Sequence, residues 1–120
     1  SQRIVEKIEA FAKAQNKKAL FVLSYPPKSV TRFVTEGVRA DQPFVDFLKQ
    51  RGSPVVDLMQ AHMDDFALIK GDLKAYLAKY WVGHYNPRGN YFCAYALMHK
   101  LVEMLVPKPP AYRADPAIMK

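Results

Sequence analysis

One histidine in a short polar run, Gly83-His84-Tyr85-Asn86-Pro87-Arg88-Gly89-Asn90, is the stretch of this 120-residue chain best suited to chemistry. It stands just ahead of the longest apolar-periodic segment, and Pro87 falls where a helix's first turn tolerates proline. A loop histidine at a helix mouth can trade protons with a ligand, because its unperturbed pKa of about 6.5 suits it to act as base or acid near neutrality. The plainer reading of the same residues is that His84 ends a loop and Asn86 caps the helix that follows.

Other groups offer less. His62, Asp64 and Asp65 have spacings of two and three on a helical pattern with no further ligands nearby, which reads as a solvated face and not as a metal site. Asp57, at the end of an apolar run, either serves a site at a sheet edge or caps the next helix. His99 falls inside the last helix and reads as structural or surface. Cys93 is the single cysteine, so no internal disulfide and no cysteine-based zinc site can form, and within a helical pattern its thiol reads as a small buried hydrophobe.

The elements that must position these groups follow from periodicity. Ile4, Val5, Ile8, Phe11 and Ala12 recur at three- and four-residue intervals and predict an amphipathic helix from about Ile4 to Gln15. Ala19 to Leu23 is a short continuous apolar run, as in a strand covered on both faces, and Tyr25-Pro26-Pro27 would lie at its C-terminal end, where ligands of open α/β sheets bind. Lys28 to Ala40 reads as a short helix or an irregular loop broken at Gly37. From Asp41 a helix is expected, with Pro43 in its first turn and Arg51-Gly52 at its close. Val55 to Met59 predicts a second strand. A helical stretch then runs from Asp72, its cap, to Tyr80 with Leu73, Tyr76, Leu77 and Tyr80 on the buried stripe. The last helix spans about Pro87 to Val106 with Ala94, Leu97, Met98, Leu101, Val102 and Leu105 as its core face, and prolines 107, 109 and 110 stop it.

Helix, strand, helix, strand argues for a parallel α/β arrangement. Two parallel strands nevertheless leave both edges unpaired and give several helices too little sheet to cover, so the pattern is that of half a fold. The expected layout is an α/β portion over residues 1–106 and a Pro-rich tail over 107–120.

The hydrophobic share of 50% and charged share of 24% are those of a globular chain. A net charge of +7 and a pI near 9.6 suit anionic partners. The basic residues are scattered, with only Lys17-Lys18 and nearby Lys13 approaching a cluster, so nucleic acid is not the expected partner. No apolar run approaches the roughly 18 to 20 residues that span a bilayer. Ser1-Gln2-Arg3 is neither a start methionine nor a signal peptide, which reads as a processed product or a piece of something longer.

The run His84-Tyr85-Asn86-Pro87-Arg88-Gly89-Asn90, leading into an Ala- and Leu-rich final helix, resembles the last block of the SGNH (GDSL-type) esterase and lipase family. There the catalytic histidine precedes an Asn/Ser-Pro-x-Gly-like turn and the closing helix. Lys18 to Pro27 resembles that family's later strand ending in a proline pair, and Ser53 to Met59 resembles the next strand, with Val56-Asp57 in its usual place. The likeness in layout covers about residues 4 to 106, and the histidine block carries most of it.

The resemblance implies a three-layer, flavodoxin-like parallel sheet of which this chain supplies the last two strands and flanking helices. His84 would be the general base of a serine esterase or acyl hydrolase, with Tyr25, Trp81, Tyr85 and Asn86 lining an acyl or sugar pocket; packing of the rings onto the core is the competing reading. No cofactor is implied. The family's Gly-Asp-Ser block has no counterpart here, since Ser1, Ser24, Ser29 and Ser53 all lie in other contexts, and Trp81 and Val82 stand where the family usually has an aspartate orienting the histidine. A backbone carbonyl or a distant carboxylate would have to hold the ring instead. The chain is therefore expected to be inactive alone, with an ester-bearing small molecule, lipid or carbohydrate as the parent's substrate and a missing N-terminal half or another chain as partner. The resemblance favours an extracytoplasmic setting. The alternative is a non-catalytic basic interaction module that binds an anionic polymer.

Overall fold

The computed structural model describes residues 1–112. Its elements, in order, are α1 (Gln2–Ala14), β1 (Phe21–Leu23), α2 (Pro27–Glu36), α3 (Gln42–Gln50), β2 (Val55–Asp57), α4 (Leu58–Ile69), α5 (Leu73–Tyr80) and α6 (Pro87–Met104), followed by a 3-10 turn at Pro110–Tyr112. The fold is mixed α/β, mostly helical, around one two-stranded parallel sheet with Phe21 opposite Val55 and Leu23 opposite Asp57. Of the tail expected over 107–120, residues beyond 112 lie outside those described.

Local signals explain most boundaries. Pro27 and Pro43 occupy the first turns of α2 and α3, whose missing N–H groups would have had no helical partner in any case. Gly37, at φ 65°, ends α2 in the left-handed region that glycine enters without cost, which resolves Lys28 to Ala40 as a helix and a turn. Asp72 caps α5 by accepting from the Ala75 N–H at 2.9 Å, and the predicted stripe Leu73, Tyr76, Leu77, Tyr80 does face inward. The strand expected over 55–59 stops at Asp57, because the Asp57 carboxylate accepts from the Met59 N–H at 3.1 Å and starts α4 there.

The core is small and lies where α2, α4 and α5 meet the ends of the strands. Val30, Met59, Tyr76, Tyr80 and Trp81 form its buried centre, with Tyr25, Phe33, Met63, Phe66, Tyr85 and Phe92 packed around them. Two predicted apolar faces are only partly covered. On α1, Val5 and Ala12 are buried while Ile4, Ile8 and Phe11 are exposed. On α6, Leu97, Met98 and Val102 are half-buried, but Ala94, Leu101 and Leu105 are exposed. The contact face of α6 is instead set by Gly89, Phe92 and Cys93, because close approach of the helix to Tyr80 and Tyr85 turns that side inward. Val22, in the middle of β1, is exposed, so one face of the sheet is open at that position. The molecule is a slab of 45 × 43 × 23 Å, and its radius of gyration of 17.2 Å exceeds the roughly 14 Å expected of a compact domain of this length.

Candidate functional site

The histidine loop is built by backbone bonding between the end of α5 and the start of α6. Trp81 leaves α5 in extended conformation and pairs antiparallel with Tyr85, Val82 N–H donates to the His84 carbonyl at 2.8 Å, and Asn86 N–H donates to the Tyr80 carbonyl at 2.9 Å. Gly83 makes the reversal at φ 87°, a conformation that L side chains rarely adopt. Asn86 caps α6, its Oδ1 accepting from Gly89 N–H at 3.0 Å while its Nδ2 donates to the Lys79 carbonyl at 3.0 Å. Gly89 is buried against this arrangement: a Cβ there would lie 2.4 Å from both the Tyr80 carbonyl oxygen and Tyr85 Cδ1. Only glycine lets the first turn of α6 sit so close.

His84 is exposed at the tip, and its Nδ1 lies 2.8 Å from the backbone carbonyl of Tyr85. A carbonyl oxygen can only accept, so Nδ1 carries the proton and the neutral ring is fixed as the Nδ1–H tautomer. Nε2 is left with its lone pair and with no hydrogen-bond partner among the described residues. The ring is thus oriented by main chain, on a residue exposed to solvent.

The rings beside it serve the core. Trp81 is 6% exposed and stacks on Tyr85 at 4.8 Å between centroids, and Tyr85 is half-buried. Both close over His62, a residue whose spacing predicts a solvated face. His62 is instead fully buried, with Trp81 and Phe92 at 4.6 and 4.3 Å between ring centroids. Tyr76 O–H donates to the His62 carbonyl at 3.1 Å, which leaves the phenol oxygen to accept from His62 Nδ1–H at 2.9 Å and Tyr85 O–H to donate to Nε2 at 2.7 Å. Burial lowers the pKa of this imidazole to about 4, so it is neutral at pH 7. It is a pin that fastens the histidine loop to α4. The sequence did carry the signal: Met59, His62, Met63 and Phe66 share one helical face.

A second polar group gathers where both strands end. Arg39, 7% exposed at its side chain, donates from Nε to Asp41 at 2.9 Å and from its terminal nitrogens to Asp57, Asp41 and the Tyr25 hydroxyl, and Tyr25 O–H donates to Asp41 at 2.6 Å. Burial on its own would raise the pKa of Asp41, but hydrogen bonds from Arg39 and Tyr25 outweigh it and hold the carboxyl below its ordinary value. Burial, and then the Asp41 acceptor, push Tyr25 well above the usual phenol range. Arg39 and Asp41 carry no motif and are invisible as a pair in the sequence. Asp57 caps α4, one of its two expected parts, and also accepts from Arg39 at the strand end. A cavity of about 170 Å³ opens beside them, lined by Tyr25, Ser29, Arg32, Arg39 and Met59 among others.

The structure therefore brings Tyr25, Trp81 and Tyr85 to one cluster, places Asn86 in the cap below His84, and leaves His84 on the surface. Among the described residues there is no group of three or more His, Cys, Asp and Glu that could hold a metal. No helix among them is long and apolar enough to cross a membrane. Comparison of the chain with protein-family models, with curated proteins and with solved structures found no match in any of the three.

Proposed function

We propose that this chain is the C-terminal portion of a serine esterase or acyl hydrolase of the SGNH type, with His84 as the general base. The observation that carries the reading is the hydrogen bond from His84 Nδ1 to the Tyr85 carbonyl, 2.8 Å long, which leaves the Nε2 lone pair unengaged on an exposed residue. In such an enzyme Nε2 takes the proton of the attacking serine and later returns it to the leaving group. The parent fold would be a three-layer, flavodoxin-like sheet in which β1 and β2 are the last two strands. The exposed Val22, the uncovered stripes of α1 and α6 and the expanded radius of gyration support a sheet with more strands. Of the serines present, Ser53 is buried and donates to Glu9, and none is hydrogen-bonded to His84.

The 120-residue chain incubated with a p-nitrophenyl ester should hydrolyse it no faster than buffer. A longer natural product carrying a Gly-Asp-Ser block should turn the ester over, and His84→Ala should lower that rate by about 10²–10⁴-fold. Turnover by the short chain that disappears in His84→Ala would sink the proposal. A second reading, a basic module for an anionic polymer, is favoured by Lys13, Lys17 and Lys18 around one groove of about 430 Å³. Salt-dependent retention on a heparin column, lost when the three lysines become glutamine, is its signature.

A further inference from the structure

A groove of about 420 Å³ between the end of α5 and the first three turns of α6 takes no part in the arrangement around His84. Its floor is made of rings: Tyr80, Pro87, Tyr91, Phe92 and Tyr95. Tyr91 and Tyr95, one turn apart on α6, are 74% and 57% exposed, an unusual cost for two neighbouring aromatic side chains on a helix that also has a buried face. Lys79 and Arg88 stand at the rim. Neither is in a salt bridge among the described residues; the Lys79 ammonium lies 5.0 Å from the centroid of the Tyr80 ring.

We propose that this groove binds a free single-chain amphiphile with an anionic head, the chain lying on the rings and the carboxylate or sulfate held between Lys79 and Arg88. The volume is within the range of about 300–1,000 Å³ usual for small-molecule sites. Charge complementarity selects an anion, since two cations without carboxylate partners flank the mouth. The floor favours hydrocarbon because five ring-bearing side chains make it and the Tyr80 hydroxyl is already bonded to Asp65 at 2.7 Å, which leaves the Tyr91 and Tyr95 hydroxyls as the polar groups these rings offer a ligand. Asp65 is the acidic group bonded at this floor, where it is engaged by the Tyr80 hydroxyl. The groove is a concavity sized for one chain, which favours a dissolved monomer over a membrane surface. The inference is independent of the esterase reading, because His84 does not line the groove.

Calorimetric titration of the intact chain with sodium laurate below its micellar concentration tests this. One-to-one binding is expected, with 1-dodecanol weaker by about tenfold and acetate undetectable. Lys79→Gln with Arg88→Gln should bring laurate down to the affinity of dodecanol, whereas Tyr91→Ala or Tyr95→Ala should weaken both ligands by about tenfold. The side chains of Tyr91 and Tyr95 are exposed, so these variants should keep the parent circular dichroism. Absence of laurate binding, equal affinity for laurate and dodecanol, or indifference to the tyrosine substitutions would each overturn the proposal. Capture of the chain by phosphatidylglycerol vesicles without monomer binding would do the same.

Discussion

His62 and Arg39 show how polar side chains survive in so small a core. Both nitrogens of His62 are bonded to phenols, and burial holds its pKa at about 4 against about 6.5 in an unfolded chain. The native ring resists a proton that the unfolded chain accepts, so the stability present above pH 6.5 is lost as pH falls from there to 4, by about 3 kcal/mol in all. Urea unfolding followed across that window should show the loss, and His62→Gln should remove most of its pH dependence. Arg39 answers two carboxylates at once. Arg39→Met would leave Asp41 and Asp57 partly buried without a cation and should lower stability by about 3–5 kcal/mol. Arg39→Lys should recover only part of this, because an ammonium cannot fork to both. A change below about 1 kcal/mol for Arg39→Met in chemical denaturation would show that the network contributes little.

The start of α6 is the element on which the candidate site depends. Asn86 closes the helix's first turn and also holds the last turn of α5 through the Lys79 carbonyl, so Asn86→Ala should cost about 1 kcal/mol or somewhat more. Gly89→Ala is the more severe test, because the new methyl would lie 2.4 Å from the Tyr80 carbonyl oxygen and from the Tyr85 ring. A loss of about 1–3 kcal/mol is expected from overpacking, with Tyr85 displaced from His62 and the ring of Trp81 losing its stacking partner. Thermal melts together with the emission of Trp81, the single tryptophan, should report both effects. The other helices are asymmetric in a telling way: α1 is tied to the C-terminal end of α3 by Glu9 with Arg51 and Ser53, yet Ile4, Ile8 and Phe11 on the same helix face solvent.

At the scale of the molecule, those uncovered faces dominate. A two-stranded sheet with an exposed Val22, a thickness of only 23 Å and an expanded radius of gyration leave apolar surface that water disfavours. The isolated chain should therefore associate in solution, and Phe11→Glu combined with Val22→Lys should shift it toward monomer in light scattering. A monodisperse monomer with a high, cooperative melt would count against an incomplete fold. In that case the sheet would be sufficient as it stands, and the uncovered stripes would need another account.

What the sequence determined by itself is what nearest neighbours along the chain decide. The caps at Asp72 and Asn86, the prolines in the first turns of α3 and α6 and the inner stripe of α5 all follow from side chains acting within one or two turns, and the alternation of helix and strand gave the parallel sense of β1 and β2. The histidine loop was legible for the same reason, as a glycine, a cap and a proline in sequence. Tertiary structure alone decided which apolar face finds a partner: it left Phe11 and Leu101 in solvent, and brought Arg39 to Asp41, Asp57 and Tyr25 across gaps of up to 18 residues. Burial and charge pairing depend on what comes close in space, and periodicity carries a helix's faces without naming what will cover them.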